Sequence, residues 1–168
     1  MSSLGFKLKI YDASPDQQWA QSLKLSYSAS LDEVLSDVDI ISLHCPLTPS
    51  THHLINEDVL LHKLSKPVIL INTSRGALID SHALIKALNE GKVLAAGLDV
   101  FEGEDQVLTR GGKVPDTVKA LLNLDNVILT PHMAYFTMES LNRIWEATLC
   151  NLERFFLKKE IDPKYIVV

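Results

Sequence analysis

The 168-residue sequence has only two cysteines and no run of apolar residues long enough to cross a membrane as a helix. Cys45 and Cys150 cannot build a disulfide scaffold, and neither lies in a CxxC or Cys/His ligand spacing. We therefore expect a protein of a reducing compartment, with the cytoplasm as its location, and a site that holds no metal.

Positive charge is scarce as well. The chain has 16 lysines and arginines against 21 aspartates and glutamates, which gives a formal net charge of −5. Because neutralising nucleic-acid phosphates requires clustered Lys and Arg, this composition argues against a general nucleic-acid surface. A hydrophobic fraction of 46% is ordinary for a soluble globular chain, and the length suits a single domain.

Strand patterns alternate with helix patterns along the chain. The predicted strands are residues 6–11, 38–43, 68–71, 93–100 and 127–129. The run Val68-Ile69-Leu70-Ile71 is typical of a parallel strand that is buried on both faces. Alternation of this kind predicts a doubly wound parallel α/β sheet of the Rossmann type, in which ligands bind beyond the carboxyl ends of the strands.

Helix signals separate these strands. Ser14 followed by Pro15 predicts one helix start, Ser30-Leu31-Asp32-Glu33 a second, and Asp80 a third that Gly91 ends. The roughly 20 residues after position 104 are predicted to be irregular. We expect a core over residues 1–136, a long amphipathic helix over 137–157 and a tail over 158–168.

The unusual polar residues follow the predicted strands, so we expect them at one edge of the sheet. Asp12 ends the first strand and could accept hydrogen bonds from the hydroxyls of an adenosine ribose while repelling a 2′-phosphate, which favours NAD over NADP. The alternative is that Asp12 simply caps the turn into Ser14.

Arg75 follows the strand that is predicted to be buried on both faces. Its planar guanidinium suits a bidentate grip on the carboxylate of a 2-oxo acid, although a loop arginine is commonly a solvated surface charge. Ser74 is not part of a G-x-S-x-G elbow and Cys45 has no base nearby in the sequence, so neither is predicted to be a nucleophile. Both are interpreted as loop residues whose backbone faces a cofactor.

His132 follows the last strand and could give a proton to a substrate carbonyl oxygen. Its pKa would need raising for this, which a neighbouring carboxylate achieves by favouring the imidazolium. Glu104 is the candidate partner, with Glu102 and Asp99 as alternatives. His44 also stands at a strand exit, whereas His52, His53, His62 and His82 are interpreted as structural or solvated.

Four strings occur in order: DIISLHCPLT from Asp39, INTSRGALID from Ile71, AGLDVFEGE from Ala96 and NVILTPH from Asn126. On these strings, residues from about 37 to 156 resemble the D-isomer-specific 2-hydroxyacid dehydrogenases. The resemblance implies that Arg75 binds the substrate carboxylate, His132 is the acid/base and Glu104 its partner. It also implies NAD as cofactor, contacted by Asp12, Cys45, Pro46, Thr51, Thr73, Ser74, Arg75, Asp99 and Ala134.

Within that family, Glu102-Gly103-Glu104 with its long following loop and the segment from His132 to Thr137 resemble D-lactate dehydrogenases, which implies a pyruvate-like substrate. Members also carry a substrate-binding half and a first strand that leads into G-x-G-x-x-G, a motif that the seven glycines here do not form. We therefore expect an incomplete sheet that lacks this strand and loop, and weak or no activity from the isolated chain. The resemblance further implies a homodimer.

A second hypothesis is a dinucleotide-sensing interaction protein without turnover. The C-terminal-binding-protein corepressors use the same fold in this way, and partner capture that depends on NADH would distinguish this function from catalysis.

Overall fold

The structure, a computed structural model, describes residues 4–108 and 112–158. It consists of two compact units, Met1–Pro131 and His132–Val168, which are described separately. The helices of the described residues include none long and apolar enough to span a bilayer.

Four parallel strands form the centre of the first unit. They are β1 (Ile40–Leu43), β2 (Val68–Asn72), β3 (Val93–Leu98) and β4 (Val127–Leu129), and they lie side by side in that order. The predicted Rossmann-like α/β class is confirmed by this sheet and its flanking helices. The first unit contains α1 (Gln17–Ser22), α2 (Leu31–Leu35), α3 (Ser81–Asn89), α4 (Glu104–Leu108) and α5 (Asp116–Leu122).

The core lies mainly between the sheet and α3. Along β2, Val68 and Leu70 are buried because alternate side chains of a strand point to the same face. On α3, the buried residues recur at three- and four-residue steps, so one face of the helix packs on the sheet: Ala83, Leu84, Ala87 and Leu88.

Three of the predicted helix signals have the predicted geometry. The Ser30 hydroxyl accepts the backbone N–H of Glu33, whose carboxylate reaches back to the N–H of Ala29 at 2.7 Å. The Asp80 carboxylate accepts two backbone N–H groups at the start of α3. Gly91 follows that helix with φ +70°, a left-handed conformation that glycine adopts without a steric cost.

The prediction of a strand over residues 6–11 was wrong. This segment has the right alternation, but a strand also needs a partner for its backbone groups, and within the described chain it forms a single bridge, between Ile10 and Tyr27. The helix start at Ser14 was also wrong, because α1 begins after Asp16, whose carboxylate accepts the N–H of Trp19.

The stretch expected to be irregular after Glu104 contains two short helices, α4 and α5. The second of these buries Val118 and Leu121, three residues apart on one face, and Leu121 belongs to the main core. A helix of seven residues is too short for the periodicity of its apolar residues to distinguish it from a loop.

In the second unit, α6 (Met138–Glu153) confirms the long amphipathic helix. Thr137 caps it by accepting the N–H of Ser140 at 3.2 Å, and a wider turn, Arg154–Lys158, follows. Of the predicted tail, 158–168, residues 159–168 lie outside the described part of the chain. The division of the chain into core, helix and tail stays a prediction.

Gly76 allows the loop after β2 to lie directly on the turn after β3. A Cβ at this position would overlap the carbonyl group of Phe101 and stand 2.7 Å from the backbone N of Glu102. These are main-chain atoms, which cannot rotate away as a side chain can. The close approach of the two segments therefore depends on the absence of a side chain at residue 76.

We predict that Gly76→Ala lowers the free energy of unfolding by about 3 kcal/mol, the upper part of the usual range for overpacking. Gly97→Ala is the matched control, because its Cβ would meet only the tip of the Ile71 side chain, at 3.0 Å. Both substitutions also restrict the unfolded chain to a similar extent. Equilibrium urea denaturation measures the difference, and equal losses in the two variants would contradict the backbone overlap.

Candidate functional site at the carboxyl edge of the sheet

Loops from all four strands meet at the carboxyl edge of the sheet. The Ser74 hydroxyl, after β2, donates to the backbone carbonyl of Cys45, after β1, at 2.6 Å. The Asp99 N–H, after β3, donates to the carbonyl of Asn72 at 2.9 Å, and the Thr130 hydroxyl, after β4, donates to the Asp99 carboxylate at 2.5 Å. The predicted gathering of strand-end residues is thus observed for Cys45, Ser74 and Asp99.

Asn72 organises the loop that carries Arg75. Its side chain is fully buried, its amide oxygen accepts the N–H of Ser74 at 3.0 Å, and its amide nitrogen donates to the carbonyl of Arg75 at 2.9 Å. Asn72 was not among the predicted site residues. The available signal was a polar residue that directly ends a continuous aliphatic strand.

Arg75 projects from this fixed loop to the surface. The side chain is exposed, and one guanidinium nitrogen, Nη1, donates to the carbonyl of Ser74 at 2.7 Å. It forms no ion pair with any residue of the described ranges. A guanidinium has five N–H donors, so this geometry permits a bidentate contact with a carboxylate.

Glu102 is held within the first unit by two partners. One carboxylate oxygen lies 2.7 Å from Nε2 of His53, and the other accepts the backbone N–H of Ser81 at 2.9 Å. Burial raises the pKa of Glu102, but the hydrogen bonds from His53 and Ser81 outweigh burial and hold that pKa below its ordinary value. These contacts argue against Glu102 as the partner of His132. Because His53 and Glu102 are 49 residues apart, no local sequence pattern indicated their contact.

Glu104 begins α4 and is half-buried. One of its carboxylate oxygens lies 3.4 Å from the N–H of Phe101, at the long end of hydrogen bonding. His132 opens the second unit, half-buried, with φ +54°, and Ala134 lies in the same unit. The meeting of His132 with Arg75 and Glu104 therefore stays a prediction.

The structure supports the turn-capping role of Asp12, since one carboxylate oxygen accepts the N–H of Ser14 at 2.8 Å. A carboxylate has a second oxygen, so this contact does not exclude a ribose role. Thr51 donates from its hydroxyl to the carbonyl of Pro46 at 2.7 Å, which fixes the turn after β1. Thr73 is exposed at the same edge.

Cys45 is half-buried on this edge. Burial raises the pKa of its thiol, and the negative charge of Asp12 adds to the effect. The thiol therefore stays protonated at neutral pH, which agrees with the expectation that Cys45 is not an activated nucleophile.

Alkylation can test this pKa. In a Cys150→Ser protein, we predict that labelling of Cys45 by iodoacetamide is slow at pH 7 and still accelerates above about pH 8.5, where an ordinary thiol is half ionised. The reason is that only the thiolate reacts and the raised pKa delays its formation. The urea-unfolded protein is the control and should show the ordinary profile. A rate that reaches its plateau by pH 8 in the folded protein would contradict the prediction.

Known proteins resemble this chain in sequence and in fold. Residues 1–134 match the family described as D-isomer specific 2-hydroxyacid dehydrogenase, NAD binding domain. The 2-hydroxyacid dehydrogenase homolog 1 of Schizosaccharomyces pombe is 44% identical over 139 residues, which cover 80% of this chain and 41% of that protein. The D-lactate dehydrogenase of Escherichia coli is 38% identical over 171 aligned residues, covering 99% of this chain and 51% of that protein.

A solved structure gives the same result. The D-lactate dehydrogenase from Aquifex aeolicus, complexed with NAD and lactic acid, matches with a TM-score of 0.81 and 39% identity over 92% of this chain and 47% of that one. The chain thus spans about half the length of these relatives. The predicted cofactor, NAD, is the one that the family description names. On the match over residues 1–134, the chain belongs to the D-isomer specific 2-hydroxyacid dehydrogenase family and corresponds to its NAD-binding domain.

Proposed function

We propose that this chain provides the NAD(H)-binding half of an oxidoreductase that interconverts a 2-oxo acid and the D-2-hydroxy acid, with a pyruvate-like substrate. The observation that carries the proposal is the position of Arg75, exposed at the carboxyl edge of a parallel sheet on a loop fixed by Asn72. A guanidinium on a fixed loop suits the carboxylate that every 2-oxo acid carries. The lactic acid bound in the A. aeolicus relative supports this substrate class.

The residues at this edge fit part of the cofactor. Asp12 supplies a carboxylate for the adenosine ribose, and its charge disfavours the 2′-phosphate of NADP. The G-x-G-x-x-G loop that usually cradles the pyrophosphate does not occur in this sequence. The proposed contacts with the dinucleotide are Asp12, Cys45, Pro46, Thr51, Thr73, Ser74, Arg75, Asp99 and Ala134.

Bound NADH supplies the hydride that reduces the carbonyl carbon. In the proposed reaction, Arg75 binds the substrate carboxylate and so fixes the direction of the carbonyl group. The imidazolium of His132 gives its proton to the carbonyl oxygen, with Glu104 as the carboxylate partner of His132. In the reverse direction, neutral His132 takes the proton from the hydroxyl group.

The proposal extends to assembly and location. The family resemblance supports a homodimer, and the scarcity of cysteine supports a reducing compartment, with the cytoplasm as the location. Light scattering of the purified protein tests the first, and a monomer would count against it.

We predict that the 168-residue chain binds NADH weakly, because the sequence provides no glycine-rich cradle for the pyrophosphate, and prefers NADH to NADPH. Titration calorimetry with both dinucleotides measures the preference. Asp12→Asn should narrow it because the carboxylate charge is removed, whereas Asp16→Asn, at the start of α1, should leave the preference unchanged. Tighter binding of NADPH than of NADH would contradict the role of Asp12.

The catalytic roles can be tested in a hybrid in which this chain replaces the matching half of the E. coli D-lactate dehydrogenase. We predict that the hybrid reduces pyruvate with NADH and that His132→Ala lowers kcat about 10²- to 10⁴-fold, the usual contribution of general acid catalysis. Arg75→Lys should mainly raise the KM for pyruvate because the bidentate contact is lost.

His82→Ala is the control for these variants, since His82 is exposed on α3, and it should retain turnover. Unchanged turnover after His132→Ala would refute the assignment. NADH binding without turnover in the hybrid would instead favour the dinucleotide-sensing alternative.

A further inference from the structure

Two histidines and a glutamate converge outside the proposed reaction centre. His52 and His53 lie in the loop after β1, and Glu102 lies in the turn after β3. One ring nitrogen from each histidine and one carboxylate oxygen of Glu102 all lie within 4.8 Å of one another. We propose that these three side chains bind a divalent transition-metal ion, for which Zn²⁺ is the best-matched ion.

The donor set favours zinc over the hard cations. Two imidazole nitrogens and one carboxylate oxygen are common protein ligands of Zn²⁺, and with three protein ligands the fourth position accepts water. Magnesium and calcium prefer sites built from oxygen atoms, which these two imidazoles do not offer.

The distances require only a local adjustment. Zinc bonds of about 2.0–2.1 Å in a tetrahedron place ligand atoms about 3.3 Å apart. Nε2 of His53 and the nearest Glu102 oxygen, now 2.7 Å apart, would separate slightly as their hydrogen bond is replaced by two bonds to the cation. His52 would move inward, which its exposure allows.

The surrounding structure already orients two of the ligands. The second carboxylate oxygen of Glu102 accepts the N–H of Ser81, a contact that can persist when the first oxygen binds a metal. The backbone N–H of His53 donates to the carbonyl of Ala77 at 2.8 Å, and the His53 backbone is held at φ +50°. The rings of His52 and His53 are stacked with centroids 4.0 Å apart, so both rings lie on the same side of the loop.

A cation at this position would join two loops that the sequence separates by about 50 residues. It would link the segment after β1 to the turn after β3 while leaving Arg75 and Glu104 outside the ligand set. The inference does not rest on the proposed function, and it concerns binding rather than catalysis.

Titration of the purified 168-residue chain with ZnCl₂, followed by calorimetry, tests the site. We expect one saturable equivalent in the unsubstituted protein. His52→Ala should weaken binding at least about tenfold, and because His52 is exposed and leaves the His53–Glu102 pair intact, this variant should fold normally. His82→Ala, which removes an exposed histidine elsewhere, should bind as the unsubstituted protein does.

A second variant and a spectroscopic probe separate ligand loss from misfolding. Glu102→Gln retains an oxygen that can accept the Ser81 N–H but removes the charge, and it too should lose affinity for Zn²⁺. Co²⁺ should show the strong visible absorption of tetrahedral coordination in the unsubstituted protein and not in His52→Ala. Absence of saturable binding, or equal affinity of the unsubstituted and His52→Ala proteins, would overturn the proposal.

Discussion

The close contact between the loop after β2 and the turn after β3 is the constraint on which the site depends. Gly76 lies against the Phe101–Glu102 peptide with no room for a Cβ. The residue before it is Arg75, and two residues after Glu102 comes Glu104. Two of the three residues that the family resemblance assigns to catalysis therefore lie on segments whose main chains touch. Any change that separated these main chains would move both side chains at once.

Hydrogen bonds to the backbone reinforce this contact. The Asn72 side chain fixes the loop by accepting the N–H of Ser74 and donating to the carbonyl of Arg75. The backbone carbonyl of Asn72 accepts the N–H of Asp99 from the end of the neighbouring strand. Glu102 joins the turn to the start of α3 and to the loop that carries His53. Hydrogen bonds thus connect the loops at the edge of the sheet, so each loop is held in place by a neighbouring loop.

Local sequence patterns predicted much of this fold, for identifiable reasons. The aliphatic run of β2 and the cap at Asp80 are encoded within a few neighbouring residues, so their structure could be read directly. The prediction for segment 6–11 was wrong because a strand needs a pairing partner, and alternation of apolar and polar residues gives no information about that partner. The same difference applies to the candidate site. The position of Arg75 at the edge of the sheet was predicted from its place after a strand, whereas the contacts of Asn72 and His53 depend on the three-dimensional structure.

The hydrogen bond from Ser74 to Cys45 has a consequence for how such an edge can vary. The acceptor is the main-chain carbonyl of residue 45, which every amino acid possesses, and the donor is a small hydroxyl on the adjacent loop. The spacing between the first two loops is therefore insensitive to which side chain occupies position 45. Evolution can exchange that side chain to suit a different ligand surface while the architecture beneath it stays the same.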